Sequence, residues 1–221
     1  GYTSVGLAQS DEEMKEWLTS NKPNWGSKWQ AGDVKYKDLT GEGEVTPGAS
    51  TLENHGDLKR IGNNSPRYRV GLNLDAAWKG IDFSIFFQGV LKRDWMFDAG
   101  DPYFWGAGSG MWQAACFEEH MDYWTPENTD AYYPKPYFNE TKNQQAQDAY
   151  MQKASYLRCK NIQLGYTLPT HITEKAGISN CRIYLSCDNL FTITGLSSVY
   201  DPEAFGSYDG YGTSGKTYPL Q

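Results

Sequence analysis

The side chains best able to do chemistry in this sequence fall into three groups. The first is Glu118, Glu119, His120 and Asp122. Carboxylates beside an imidazole could bind a metal or move a proton, and paired carboxylates are the machinery of glycoside hydrolysis. Their spacing matches no H-E-x-x-H pattern, and the other histidines, His55 and His171, lie far off in the chain. Acidic neighbours are also expected by composition alone in a chain with 27 Asp and Glu. The sequence has no G-x-S-x-G elbow, no P-loop and no dinucleotide fingerprint. It therefore predicts neither an enzyme nor a bound cofactor.

The second group, Asp38, Thr40 and Glu42, alternates oxygen side chains around turn glycines as a calcium loop does. The position that would supply the bidentate carboxylate of such a loop is Ala49, so the reading is an acidic turn with no metal. Cys116, Cys159, Cys181 and Cys187 contain no C-x-x-C pair and have no histidine at ligand spacing. They are expected to be small apolar fillers. The third group is aromatic: Trp105, Trp112, Tyr123, Trp124, Tyr132 and Tyr133. Such rings stack on sugars, anchor a protein partner, or form the core of their own loop.

The elements that position these groups are strands. The 221 residues include 16 Tyr, 8 Trp, 9 Phe and 23 Gly, a composition that favours an all-β fold over a helical one. A net charge of −7 without any basic run excludes a nucleic-acid partner. No run of apolar residues reaches the length of a transmembrane helix, but barrel strands carry only alternate apolar residues and escape that test.

From Tyr68 to Trp78 apolar and polar residues alternate, Lys79-Gly80 makes a two-residue turn, and Ile81 to Gln88 alternate on the way back. Pairing across the turn sets Trp78 against Ile81, Ala76 against Phe83, Leu74 against Ile85 and Leu72 against Phe87, all on one face. The same logic pairs Tyr166 with Ile183, Leu164 with Leu185 and Gln163 with Ser186.

The expected organisation is a polar loop region, 1–65, with a short helix at 11–18 capped by Ser10. A hairpin at 66–90, a long aromatic-rich loop at 91–154, a second hairpin at 155–193 and a loop at 194–221 follow. Short turns at one end and long loops at the other suit an antiparallel transmembrane β-barrel segment. A soluble carbohydrate-binding β-sandwich would show the same alternation and is the alternative.

Several blocks carry a resemblance. Gly32-Asp-Val-Lys-Tyr-Lys-Asp-Leu-Thr-Gly-Glu-Gly-Glu is similar to the GD-x-x-Y-K-D-x-N-G-D-G run of the SusC/RagA family of TonB-dependent outer-membrane transporters. Thr40 and Glu42 stand where that run has Asn and Asp. The entry Ile61-Gly-Asn-Asn-Ser-Pro-Arg-Tyr, the block Asp122-Tyr-Trp-Thr-Pro-Glu-Asn and the run Ala154-Ser-Tyr-Leu-Arg also resemble it. So does Arg182-Ile-Tyr-Leu-Ser-Cys-Asp-Asn-Leu-Phe, near the family's penultimate strand.

The resemblance implies the C-terminal part of an outer-membrane importer of oligosaccharides or other bulky nutrients, including peptides. It implies a SusD-like surface lipoprotein as partner, membrane lipid around the sheet, and TonB acting through a plug domain that these residues do not contain. About four of roughly 22 strands would be present, too few to close a barrel alone. The aromatic loop is where partner or substrate contacts are expected.

Overall fold

The computed structural model describes residues 1–109, 116–138 and 140–204. It resolves into two compact units, one made of residues 1–63, 95–152 and 197 onward, the other of residues 64–94 and 153–196.

Unit 2 is an antiparallel sheet. Its long strands are β5 (Arg67–Trp78), β6 (Ile81–Lys92), β8 (Gln152–Thr167) and β9 (Arg182–Gly195), in the order β5-β6-β8-β9, and the two-residue strand β7 (Asp94–Trp95) also pairs with β8. Lys79 and Gly80 both have positive φ, 48° and 85°. That is the turn whose twist matches the strands it joins, and Gly takes the second position without strain. The register has Trp78 opposite Ile81, Leu74 opposite Ile85 and Leu72 opposite Phe87. Tyr166 faces Ile183, Leu164 faces Leu185 and Gln163 faces Ser186. Every pairing expected from parity is present.

Across the sheet these pairs line up into rows. Ala76, Phe83, Leu164 and Leu185 make one apolar row, and Asp75, Ser84, Gln163 and Ser186 make the polar row behind it. One irregularity was not foreseen. Phe86 pairs with Asn161 but Phe87 pairs with Cys159, so Lys160 is an extra residue, a β-bulge. The bulge shifts the apolar face of β8 from even positions (Ile162, Leu164, Tyr166) to odd ones (Cys159, Leu157). Without it Arg158 would land among apolar side chains. Strand β9 answers with Asn189, at φ 51°, a left-handed conformation that Asn tolerates better than most residues.

No second sheet covers this one among the described residues. Leu74, Ile183 and Leu185 are 50%, 64% and 76% exposed. The sandwich alternative therefore does not describe the fold. No helix is long and apolar enough to cross a membrane, which says nothing about strands. The cysteines depart from the expectation of buried fillers: only Cys159 is buried, while Cys116 and Cys187 are exposed.

Unit 1 has more order than a polar loop region. The helix α1 (Asp11–Trp17) starts as expected, with the Ser10 hydroxyl accepting from the Glu13 amide and the Glu13 carboxylate accepting from the Gln9 amide. Strand β1 (Ser4–Leu7) pairs antiparallel with β3 (Val34–Tyr36), and β2 (Lys22–Pro23) pairs parallel with β4 (Glu44–Val45). Tyr36 is fully buried among Tyr2, Trp25 and Trp29, with ring centroids 5.2–6.1 Å away. These aromatics follow no period of 2 or 3.6, so periodicity could not show their core.

Candidate functional site: the aromatic loop unit

The Gly32-Asp-x-x-Tyr-Lys-Asp block works as a socket. Gly32 has φ 86°, and a Cβ there would lie 2.5 Å from a ring carbon of Trp124. Only glycine satisfies both constraints. Asp33 is completely buried and pairs with Lys142 at 2.9 Å, both side chains almost free of solvent contact. It also accepts from Asn143 at 2.8 Å and from the Gln30 amide at 2.8 Å. Lys142 donates to the carbonyls of Ser27 and Lys28, and its ammonium sits 4.1 Å from the Tyr137 ring centroid. The Tyr36 hydroxyl donates to the Lys142 carbonyl and accepts from Gln147. A buried pair this well satisfied avoids the penalty of an isolated buried charge.

Asp38 accepts from the amides of Gly41 and Gly43, each at 2.7 Å, and from the Thr40 hydroxyl. Asp57, buried, accepts from Leu39, Thr40 and Thr46. Backbone N–H groups thus occupy both carboxylates. Burial opposes ionisation of Asp38, but those donors outweigh it and hold its carboxyl below the usual value. The Glu42 side chain points to no partner of this set. Among the described residues no cluster of three or more His, Cys, Asp or Glu could hold a metal.

The acid–imidazole group disperses in the same way. The His120 ring accepts the Phe117 amide at Nδ1, and Nε2 lies 3.0 Å from the Tyr103 carbonyl. A carbonyl can only accept, so Nε2 carries the proton and the ring is a neutral, fully used strut. Glu119 accepts from the hydroxyls of Ser197 and Ser198 and from the Ser198 amide. Asp122 accepts from Asn128 and from the Tyr132 amide. These three groups tie one loop to another, while Glu118 is exposed and joins none of them.

The aromatic residues sort by exposure. Trp105, Trp124 and Tyr133 are buried, Tyr123 is half-buried and Tyr132 is 41% exposed. Trp112 lies outside the described residues, as do residues 205–221 of the last loop. Trp105 is carried by the turn α2 (Pro102–Trp105), which Asp101 caps by accepting from the amides of Tyr103 and Phe104. The Trp105 ring meets Tyr150 edge-on at 4.9 Å. Phe97 stacks between Phe104 and Tyr200, and the Tyr200 hydroxyl donates to Asp101 at 2.6 Å. Burial pushes the phenols of Tyr133, Tyr150 and Tyr200 well up, so all three stay neutral donors.

Three of the expected residues, Trp105, Tyr123 and Tyr133, line a cavity of about 270 Å3. Pro134, Lys135, Tyr137 and Glu140 line it too, and nothing in their spacing marked them beforehand. The run Tyr133-Pro-Lys-Pro-Tyr was the one available signal, because prolines between aromatics make a rigid apolar wall.

Unit 2 is an uncovered antiparallel sheet with one apolar and one polar face, a pattern that barrel strands share. Comparison makes the assignment narrower. The chain is 31% identical over 173 residues to TonB-dependent receptor P3 of Formosa agariphila, covering 78% of this chain and 16% of the relative. It is 25% identical over 172 residues to TonB-dependent receptor P26 of the same organism, again covering 78% and 16%. The chain is thus similar to part of these TonB-dependent receptors and spans about one sixth of their length. No protein-family model matches it.

Among solved structures, it superposes on the RagAB peptide importer in the open-open state with a TM-score of 0.59 at 21% identity, over 96% of this chain and 20% of that one. The RagAB peptide transporter gives a TM-score of 0.56 at 21% identity, over 87% and 19%. These likenesses establish the fold, a stretch of antiparallel transporter barrel that does not close within this chain.

Proposed function

We propose that the chain supplies C-terminal wall strands and surface loops of an outer-membrane importer, with the SusC/RagA-type arrangement. In this reading a SusD-like lipoprotein meets the loop side, TonB acts through a plug elsewhere in the receptor, and the cargo is an oligosaccharide or a peptide. The observation that carries it is the set of continuous rows in unit 2, where the apolar face stands uncovered and the opposite face is polar. In water such a face would aggregate, whereas in lipid it is the required surface.

The polar face is built to meet water. Arg182 pairs with Asp82 at 2.5 Å and also reaches Gln163, and Asn161 donates to Asp188. Asn73 donates to Asp75 on the same face. The long segments of unit 1 lie outside the cell in this proposal, and the turns at Lys79-Gly80 and residues 168–181 lie in the periplasm. Of the aromatic loop residues, Tyr123 and Tyr132 are open to a partner, while Trp105, Trp124 and Tyr133 hold the loop that presents them.

Epitope insertion tests the arrangement. A tag placed beside Leu52, which is 93% exposed, should be recognised by antibody on intact cells. A tag between Lys79 and Gly80 should be recognised only after permeabilisation. The reverse pattern would sink the orientation, and recognition of both on intact cells would sink the membrane-spanning reading.

A further inference from the structure

The cavity beside Tyr133 combines two features that together select a ligand chemistry. Its walls are largely rings and proline, with Trp105, Tyr123, Pro134 and Tyr137 among them. Two residues of opposite charge, Lys135 and Glu140, line the same space. Neither side chain has an ion-pair or hydrogen-bond partner among the described residues. The imidazole and the side-chain amides at the wall are already used. His120 spends both ring nitrogens on Phe117 and Tyr103, Gln144 bonds Gly100 and Gly108, and Asn143 bonds Asp33 and Val34.

A neutral sugar would bring many hydroxyls and no charge to a wall of rings and proline. It would also leave an ammonium and a carboxylate unpaired against apolar groups. A small peptide brings the complement of both charges and a side chain suited to rings. The volume, about 270 Å3, falls just under the roughly 300–1,000 Å3 typical of small-molecule sites. It therefore suits one or two residues and not a long polymer.

We propose that this cavity is a binding site for a dipeptide-sized zwitterion with a large apolar or aromatic side chain, its carboxylate meeting Lys135 and its ammonium meeting Glu140. The proposal deepens the import reading by choosing the cargo class, and it rests on that reading only for its biological purpose.

The test is calorimetry on the full-length receptor in detergent. The probes are the dipeptide alanyl-phenylalanine, its N-acetyl and C-terminal amide derivatives, and a neutral glucose oligomer. Blocking either end of the dipeptide should weaken binding about tenfold, the usual scale for losing one charged hydrogen bond. Lys135→Gln should erase the penalty for the amide and keep the penalty for the acetyl derivative. Glu140→Gln should do the opposite, closing a thermodynamic cycle that a folding defect cannot mimic.

Equal affinity for free and blocked dipeptides would overturn the proposal. So would the absence of dipeptide binding, or glucose-oligomer binding that is tighter and indifferent to both substitutions. Nutrient uptake by cells carrying the receptor tests the import reading separately. Uptake with a flat cycle removes the pocket alone, and a closed cycle without uptake removes the importer alone.

Discussion

Tyr36, at the centre of unit 1, is completely buried, whereas Leu185, in the middle of strand β9 of unit 2, is 76% exposed. The contrast extends to the polar groups. In unit 1 carboxylates turn inward and are met by backbone amides, an ammonium or hydroxyls, as at Asp33, Asp57 and Asp101. In unit 2 aliphatic side chains stand out in rows, and the polar residues form ladders on the reverse face. Unit 1 solves the folding problem internally, by burying aromatics and giving its buried aspartates donors. Unit 2 leaves its apolar face uncovered by the described residues, and under the importer proposal lipid covers that face and neighbouring strands pair β5 and β9.

The largest expected effect attacks the internal solution of unit 1. Lys142→Ala leaves Asp33 buried and unpaired, a change that costs about 3–5 kcal/mol in comparable settings. Limited proteolysis of the full-length receptor should then cut rapidly between residues 116 and 138. If protection is unchanged, unit 1 does not depend on its own core, and in this respect the two units do not differ.

A smaller effect tests the medium around unit 2. Leu74→Arg, on the apolar face, should cost about 2–4 kcal/mol in a receptor refolded into bilayers and unfolded with urea. Asp75→Arg, one residue along on the polar face, should cost far less, because that side chain already meets water. Similar costs at the two positions would mean that the faces do not see different solvents.

The smallest effect concerns the tie between Glu119 and Ser197–Ser198. Burial alone would raise the Glu119 carboxyl, but the serine donors outweigh it and hold it below its ordinary value. The stabilisation is therefore complete above the ordinary carboxylate range and is lost as pH falls through the lowered value. Cleavage by an acid-active protease at residues 197–204 should increase over that window. In Glu119→Gln the tie should already be weakened at neutral pH and should not weaken further with acid. A variant that keeps the acid response would assign it to another group.

Much of unit 2 could be read directly. The alternation from Tyr68 to Gln88 and the Lys79-Gly80 turn determine pairing, because a one-residue slip would move every side chain to the wrong face. The Ser10 cap of α1 is likewise local, since its partner is three residues away. The bulge at Lys160 was hidden, because it shows only when β8 is laid against both neighbours. The membership of the aromatic loop in a recognised block, Asp122-Tyr-Trp-Thr-Pro-Glu-Asn, was visible, but which rings would be buried was not.

That choice belonged to contacts between distant segments. Asp33 and Asn143 are 110 residues apart in sequence, and the Trp124 ring fits only against the bare backbone of Gly32. Such contacts follow no period and depend on how long loops close, a cost paid by the whole chain and encoded in no single stretch of it. The same is true of the cavity, whose opposite charges at Lys135 and Glu140 became one feature only when folding brought them to a shared wall of rings. The sequence by itself determined the faces of the sheet, through a repeat of two residues. Tertiary structure alone decided which side chains became socket, strut and pocket, because each of those roles needs a partner that local order does not supply.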